Sequence, residues 1–344
     1  VNVADAVGRA LVAAGVRQVF GVIGSGNFHL TNAMVAAGAR FVAARHEGGA
    51  ATMADAYTRM SGTVAALSVH QGCGLTNAMT GIAEAAKSRT SMVVVAAEAT
   101  EPRSNFYVDQ DALARSVGAV PLRITSAETA VAEAVAAVAT AVQERRTVLL
   151  NVPLTMQSLA AAEPSTGVRS GAQAMPSGVR EQVVRAEAGE QVVPPIVRKA
   201  VVPDPAGVAA LAALLQRAER PVFVAGRGAR GSRQALELLA ERSGALLATS
   251  AVAHGLFNGN PWSLGVSGGF ASPRTAELIR GADLIVGWGC ALNMWTMRHG
   301  QLIAPDATVV QVDDDASALG AHREIHLGVT GDVGLTAALV LGEQ

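Results

Sequence analysis

At 344 residues the chain has room for two domains of ordinary size, and half of its residues are hydrophobic while only 16% are charged and 3% aromatic. A net charge of −1 with no basic block gives nucleic acid or an anionic membrane nothing to hold. No apolar run approaches the ~20 residues of a membrane span. Cys73 and Cys290 lie far apart without metal-like spacing, which reads as two reduced thiols, with Cys73 a small apolar filler. The first residues lack an initiator Met, which reads as a trimmed start, and they have helical rather than signal-peptide spacing. The expected compartment is cytoplasmic.

In chain order, the spacing predicts a helix over Val3–Ala14, closed by Gly15, then a strand near Val19–Ile23, the loop GSGN and a further helix. A strand near Arg40–Ala44 and a helix near Gly49–Arg59 follow. Next come the strand TVAALSV, the loop HQGCG, a helix over Leu75–Ala86, the strand SMVVVAAE, a helix over Ala127–Glu144 and the strand TVLLNVP. From 157 to 203 the periodicity fades into Ser, Gly, Glu and Pro, which reads as a long, partly mobile linker. A second series runs helix Pro205–Glu219, strand PVFVAG, helix Ser232–Ser243, strand ALLATS, helix Pro273–Arg280, strand DLIVGWG and strand TVVQVD. Strands alternating with helices imply an α/β fold of two doubly wound parallel-sheet domains, 1–156 and 204–344, joined by that linker. Ligands in such sheets bind beyond the carboxyl ends of the strands, where the Gly-rich loops fall.

Four stretches carry candidate chemistry. GRGARG, Gly226 to Gly231, follows a strand and fits a dinucleotide fingerprint, but the next strand ends in Thr249 and Ser250 where an acid should hold the ribose. A tight strand-to-helix turn accounts for it better. VDDD, Val312 to Asp315, reads as a strand end opening a turn rather than a metal site. In SVHQGCGLTN, His70 and Gln71 emerge where a strand ends, either as satisfied structural groups or beside a ligand in the space left by Gly72 and Gly74. Glu47, in RHEGGAATMADAYTRMSG, opens a helix, where the dipole favours a negative charge. Its apolar flanks allow another reading, a carboxylate desolvated enough to pass a proton back and forth.

The segments VADAVGRALVAAGVRQVFGVIGSGN, RHEGGAATMADAYTRMSG, SVHQGCGLTNAMTGIAEAAKSRTSMVVVAAE, VDQDALAR and LLNVPLTMQ resemble, in order and spacing, the pyrimidine-binding domain of the thiamine-diphosphate enzymes related to acetolactate synthase. RPVFVAGRGARG, GADLIVGWG and QLIAPDATVVQVDDDASALG are similar to that family's central domain. The resemblance implies a lyase or transferase that decarboxylates 2-oxoacids and forms C–C bonds. It makes Glu47 the group that exchanges a proton with the aminopyrimidine of thiamine diphosphate, with Ile23, Gly24 and Asn77 as further cofactor contacts. It places His70 as a second catalytic residue and Ser25, Gln71 and Phe106 around the substrate, a small 2-oxoacid or aldehyde.

Departures from acetolactate synthase leave decarboxylation and carboligation both open. Ile23, Gly24 and Ser25 stand where that enzyme has Pro-Gly-Gly, and Asn105 and Phe106 where it has Phe-Gln. CALNMW replaces the run that meets FAD, which puts FAD in doubt. Ser25 and His70 are similar to the Ser and His of benzoylformate decarboxylase, and QLIAPDATVVQVD to benzaldehyde lyase. The family's GDG…N motif, which holds Mg2+ and the diphosphate, has no counterpart in this sequence, so no metal ligand is expected here. The expected partner is therefore a diphosphate-binding domain or subunit, in a homo- or hetero-oligomer such as a dimer of dimers. The alternative is a non-catalytic regulatory or nucleotide-binding module that kept the fold.

Overall fold

A computed structural model describes residues 1–161, 196 and 198–343. The expected linker, 157–203, falls largely outside the described residues. The chain divides into two units, Val1–Arg198 and Lys199–Gln344. Each is built on its own six-stranded, wholly parallel sheet.

In the first unit the order of elements is α1 (Val3–Ala13), β1 (Gln18–Gly21), α2 (Phe28–Ala36), β2 (Arg40–Ala43), α3 (Glu47–Ser61), β3 (Ala65–Val69), α4 (Cys73–Lys87) and β4 (Met92–Glu98). It continues through α5 (Gln110–Ser116), β5 (Val120–Arg123), α6 (Ala130–Gln143), β6 (Thr147–Pro153) and α7 (Leu154–Gln157). The strands lie in the order β2-β1-β3-β4-β6-β5. Every residue of β3, β4 and β6 is buried, as unbroken apolar runs such as MVVVAA require in a sheet covered on both faces. One cover is built on α1, α2 and α6, the other on α3, α4 and α5.

Order reverses between β1 and β3: the chain leaves β1 toward β2 on one side and returns in β3 on the other. That reversal opens a crevice at the carboxyl ends of these two strands, between the 22–27 loop and the 70–72 turn.

Small residues set how closely α3 and α4 approach. A Cβ at Gly81 on α4 would lie 2.5 Å from the Ala51 Cβ on α3. Asp55 completes the join: its Oδ1 accepts from Arg59 Nε (2.8 Å) and from Thr90 Oγ1 (2.6 Å), while Arg59 also reaches Glu84 on α4 at 2.9 Å. Helix α3 stops at Gly62, whose φ of +72° is a left-handed cap that glycine adopts at little cost.

The second unit runs α8 (Pro205–Arg217), β7 (Pro221–Ala225), α9 (Arg233–Ser243), β8 (Leu246–Thr249), β9 (Ser263–Val266), α10 (Pro273–Arg280), β10 (Leu284–Trp288), β11 (Thr308–Asp313), β12 (Leu327–Thr330) and α11 (Val333–Glu343). Its strand order is β12-β11-β10-β7-β8-β9, so the reversal falls between β7 and β10. There backbone meets backbone. Gly226 N–H donates to the Trp288 carbonyl (2.8 Å) and Gly228 N–H to the Gly289 carbonyl (3.1 Å), while a Cβ at Gly226 would stand 2.1 Å from the Gly289 oxygen. Gly226 and Gly228 of GRGARG serve this stitch, and neither of their amides is left for a pyrophosphate. VDDD caps its strand as expected: Asp315 N–H donates to Asp313 Oδ1 and Asp315 Oδ1 accepts from Ser317 N–H.

Three strands escape the sequence reading: β5, β9 and β12. All are sheet edges. An edge strand needs no long apolar run, and β5 carries Pro121 while β9 breaks register at Gly265, whose φ is +75°. Among the described residues no helix is long and apolar enough to cross a membrane.

The Gly81→Ala variant should cost about 1–3 kcal/mol of stability, because the added methyl overpacks the α3–α4 contact. Urea denaturation of both proteins checks this; an unchanged midpoint would show that the two helices are not in tight contact.

Candidate active site

Glu47 is the first residue of α3. His46 caps the helix, its Nδ1 accepting from Gly48 N–H at 3.0 Å. The β2 strand and the alanines after Gly49 place the Glu47 carboxylate at the crevice mouth, half-buried rather than enclosed. Asn77 on α4 donates to Glu47 Oε2 at 3.1 Å. The close α3–α4 approach makes that bond possible, with the Asn77 carbonyl 3.2 Å from where a Gly48 Cβ would be. Glu47 Oε1 looks toward Gly74, where a Cβ would stand 3.5 Å from it and 3.0 Å from the His70 Cβ. Gly74 thus keeps bare the ground between the carboxylate and the histidine.

His70 follows β3. Its ring lies against Gly24, whose missing Cβ would come within 2.7 Å of the ring carbon Cγ. Phe106 meets the ring edge-to-face, centroids 5.3 Å apart at 71°. Nδ1 accepts from Gly26 N–H at 3.2 Å. Burial pushes the His70 pKa below its ordinary 6.5, and the Glu47 carboxylate, a smaller effect, pulls it back up. Glu47 and His70 are therefore electrostatically coupled across the Gly74 gap.

The other expected site residues divide into two groups. Ile23, Ser25, Asn77 and Phe106 are exposed around the crevice, and Gly24 is half-exposed over the histidine. Gln71 is corrected. Its expected place is beside the substrate, yet the structure turns it inward, 4% exposed, with Oε1 packed against Gly26 and Ala97 and unpartnered. It props the loop from beneath. Cys73 is likewise corrected, being exposed at the start of α4 rather than filling a core.

Several supports were not legible as site residues. Asn27 Oδ1 accepts from Gly24 N–H (2.8 Å), while its Nδ2 donates to the Val22 carbonyl and to Ser68 Oγ, itself 2.7 Å from Thr31 Oγ1. Behind Gly72, a buried chain links Gln110 Nε2 to Asn151 Oδ1 (2.7 Å) and Asn151 Nδ2 to Asp111 Oδ1 (2.8 Å). Arg123 then grips Glu98 through two bonds of 2.8 and 2.7 Å and Asp111 at 2.9 Å. Hydrogen bonds to Glu98 raise its pKa further above the ordinary arginine value. Gly72 itself, at φ +63° and with the Phe106 carbonyl 2.5 Å from any added Cβ, has room for no other residue. The one signal for these supports was polar residues falling inside or just after apolar strands. Among the described residues, no group of three or more His, Cys, Asp or Glu could hold a metal ion.

Residues 1–113 match the family model described as thiamine pyrophosphate enzyme, N-terminal TPP binding domain, and residues 208–340 match that for the central domain of the same enzymes. The chain belongs to the thiamine pyrophosphate enzymes. It is 26% identical over 350 residues to a sulfoacetaldehyde acetyltransferase of Castellaniella defragrans, covering 97% of this chain and 53% of that protein. It is 26% identical over 340 residues to an acetolactate synthase large subunit of Parasynechococcus marenigrum, covering 94% and 51%. In fold it is similar to a thiamine diphosphate-dependent 4-hydroxybenzoylformate decarboxylase of Rhodococcus jostii, with a TM-score of 0.78, 21% identity and 99% and 62% coverage. The chain spans about half the length of these curated relatives.

NMR titration of the His70 ring should give a midpoint below 6.5, since the folded environment disfavours the imidazolium. Glu47→Gln removes the carboxylate that opposes this shift and should move the midpoint further down. A midpoint that ignores the substitution would uncouple the two residues.

Proposed function

We propose that this chain supplies the pyrimidine-binding half of a thiamine-diphosphate-dependent enzyme that decarboxylates 2-oxoacids and passes the product to a proton or to a second carbonyl. One observation carries the reading: Glu47 stands at the crevice between β1 and β3 with Oε2 held by Asn77 and Oε1 facing a gap that Gly74 keeps open. A merely structural helix-start acid has no use for that gap. The residues present fit the cofactor's aminopyrimidine: a carboxyl oxygen with no donor on it among the described residues, exposed Ile23 and half-exposed Gly24 on the neighbouring loop, and a histidine beyond.

When bound, thiamine diphosphate supplies a carbon nucleophile that also accepts the electron pair released on decarboxylation. The chain's own residues do the rest. Glu47 gives and takes a proton at the aminopyrimidine, and Asn77 fixes which oxygen is free to do so. His70 faces the 2-oxoacid and handles the charge and protons of its carboxylate and carbonyl. Ser25 and Phe106 bound the side-chain end of the substrate. The diphosphate and Mg2+ are assigned to a diphosphate-binding domain from a partner chain or a further segment, as the family resemblance implies.

The test combines the chain with such a domain, thiamine diphosphate and Mg2+, and measures CO2 release from pyruvate and benzoylformate. Glu47→Gln should lower kcat by about 10²–10⁴-fold, the usual worth of a positioned acid–base group, without lowering Tm. Unchanged turnover in that variant would sink the assignment.

A further inference from the structure

We propose that Gln157, which makes no direct hydrogen bond to His70, is a positioning residue that holds His70 as a neutral imidazole carrying its proton on Nε2. The proposal rests on the reading of His70 as a substrate-facing group, and its evidence is separate from that reading. Gln157 ends α7, the short helix after β6, and is 8% exposed. Its Nε2 donates to the Gly26 carbonyl at 2.9 Å and more weakly to the Val152 carbonyl at 3.4 Å. Gly26 is thereby tied to the end of β6, across 131 residues of sequence. From beneath, Gln71 closes the loop: a Cβ at Gly26 would fall 1.8 Å from Gln71 Oε1. With its carbonyl anchored and no room to shift, Gly26 directs its N–H at His70 Nδ1.

A nitrogen that accepts from an amide cannot also bear a proton. The neutral ring must then carry its hydrogen on Nε2, which makes no hydrogen bond among the described residues. Gly24 against one face and Phe106 at the edge keep the ring from turning over. Losing the Gly26 bond on protonation adds to the burial that already lowers the ring's pKa. Glu47 is the one charged side chain acting on the ring among the described residues; the 22–27 loop and Phe106 bring no titratable group. Nε2–H is therefore offered to a substrate carboxylate or carbonyl as a fixed hydrogen-bond donor.

The experiment uses the full chain labelled with 15N at histidine and glycine, followed by NMR across pH. In the unsubstituted protein the neutral His70 should show Nδ1 unprotonated and Nε2 protonated, and the Gly26 amide should shift with the same midpoint as the ring. A protonated Nδ1, or a Gly26 amide indifferent to that titration, overturns the proposal. Gln157→Met keeps the volume but not the donor, and should raise the His70 midpoint toward 6.5 and move the acid limb of the kcat/KM profile upward with it. Gln157→Asn, which falls short of the Gly26 carbonyl, serves if the Met variant folds poorly and should act the same way. An unmoved midpoint in a folded variant removes Gln157 from the device. If instead the midpoints move as expected while Glu47→Gln leaves turnover intact, the positioning stands and only the functional reading falls.

Discussion

A side chain at Gly21 would place its Cβ 2.3 Å from the Ser68 carbonyl oxygen, and everything at the candidate site follows from the closeness of those two strands. β1 and β3 are paired there, Gly21 opposite Ser68, and the chain leaves both strands within a few residues. The loops that emerge are therefore near neighbours from the start. Ser68 uses this position twice. Its backbone pairs with β1, and its hydroxyl joins Asn27 and Thr31 in a fully buried cluster that sets the course of the 22–27 loop. Buried polar groups are costly unless satisfied, so this cluster has one low-energy arrangement and the loop inherits it.

The two units are both wholly parallel six-stranded sheets but differ in strand order, and each treats its reversal point differently. In the first, the glycines remove side chains so that functional groups can gather: Gly24 under the His70 ring, Gly74 between His70 and Glu47. In the second, Gly226, Gly228 and Gly289 remove side chains so that backbone can touch backbone, and their amides are consumed in doing so. A Gly-rich loop after a strand thus has no fixed meaning. What differs is the partner its N–H groups find: side chains of Asn27 and His70 in the first unit, backbone carbonyls in the second.

Much of this was legible in the sequence because central parallel strands must be apolar throughout, and runs such as MVVVAA and TVLL fit few places in a fold besides a sheet covered on both faces. Glu47 and His70 stood out for the same reason, as polar residues where those runs stop. Of the four edge strands only β2 was legible, since half-buried segments such as VPLR need no such run. Nor were the supports. Gln157 acts on Gly26 from 131 residues along the chain, and Gln110 and Arg123 act through partners on other elements. Nothing local distinguishes them from solvated polar residues. Gln71 departs from expectation because neighbours at a strand end point opposite ways, His70 toward the crevice and Gln71 into the protein.

Three carboxylates of the first unit, Glu98, Asp55 and Glu47, sit in different hydrogen-bonding surroundings. Glu98 is buried at the end of β4 and receives two charge-assisted hydrogen bonds from Arg123, one on each oxygen. Asp55 is buried within α3 and has Arg59 and Thr90 on its oxygens. Each is held by a charged donor, Asp55 by a neutral one as well, as a buried carboxylate requires. Glu47 has a single neutral donor, Asn77, on one oxygen, and faces an open gap with the other. On the proposed reading of Glu47, the first kind of site suits a structural role and the second a proton-passing one, and α3 contains one of each, separated by about two helical turns.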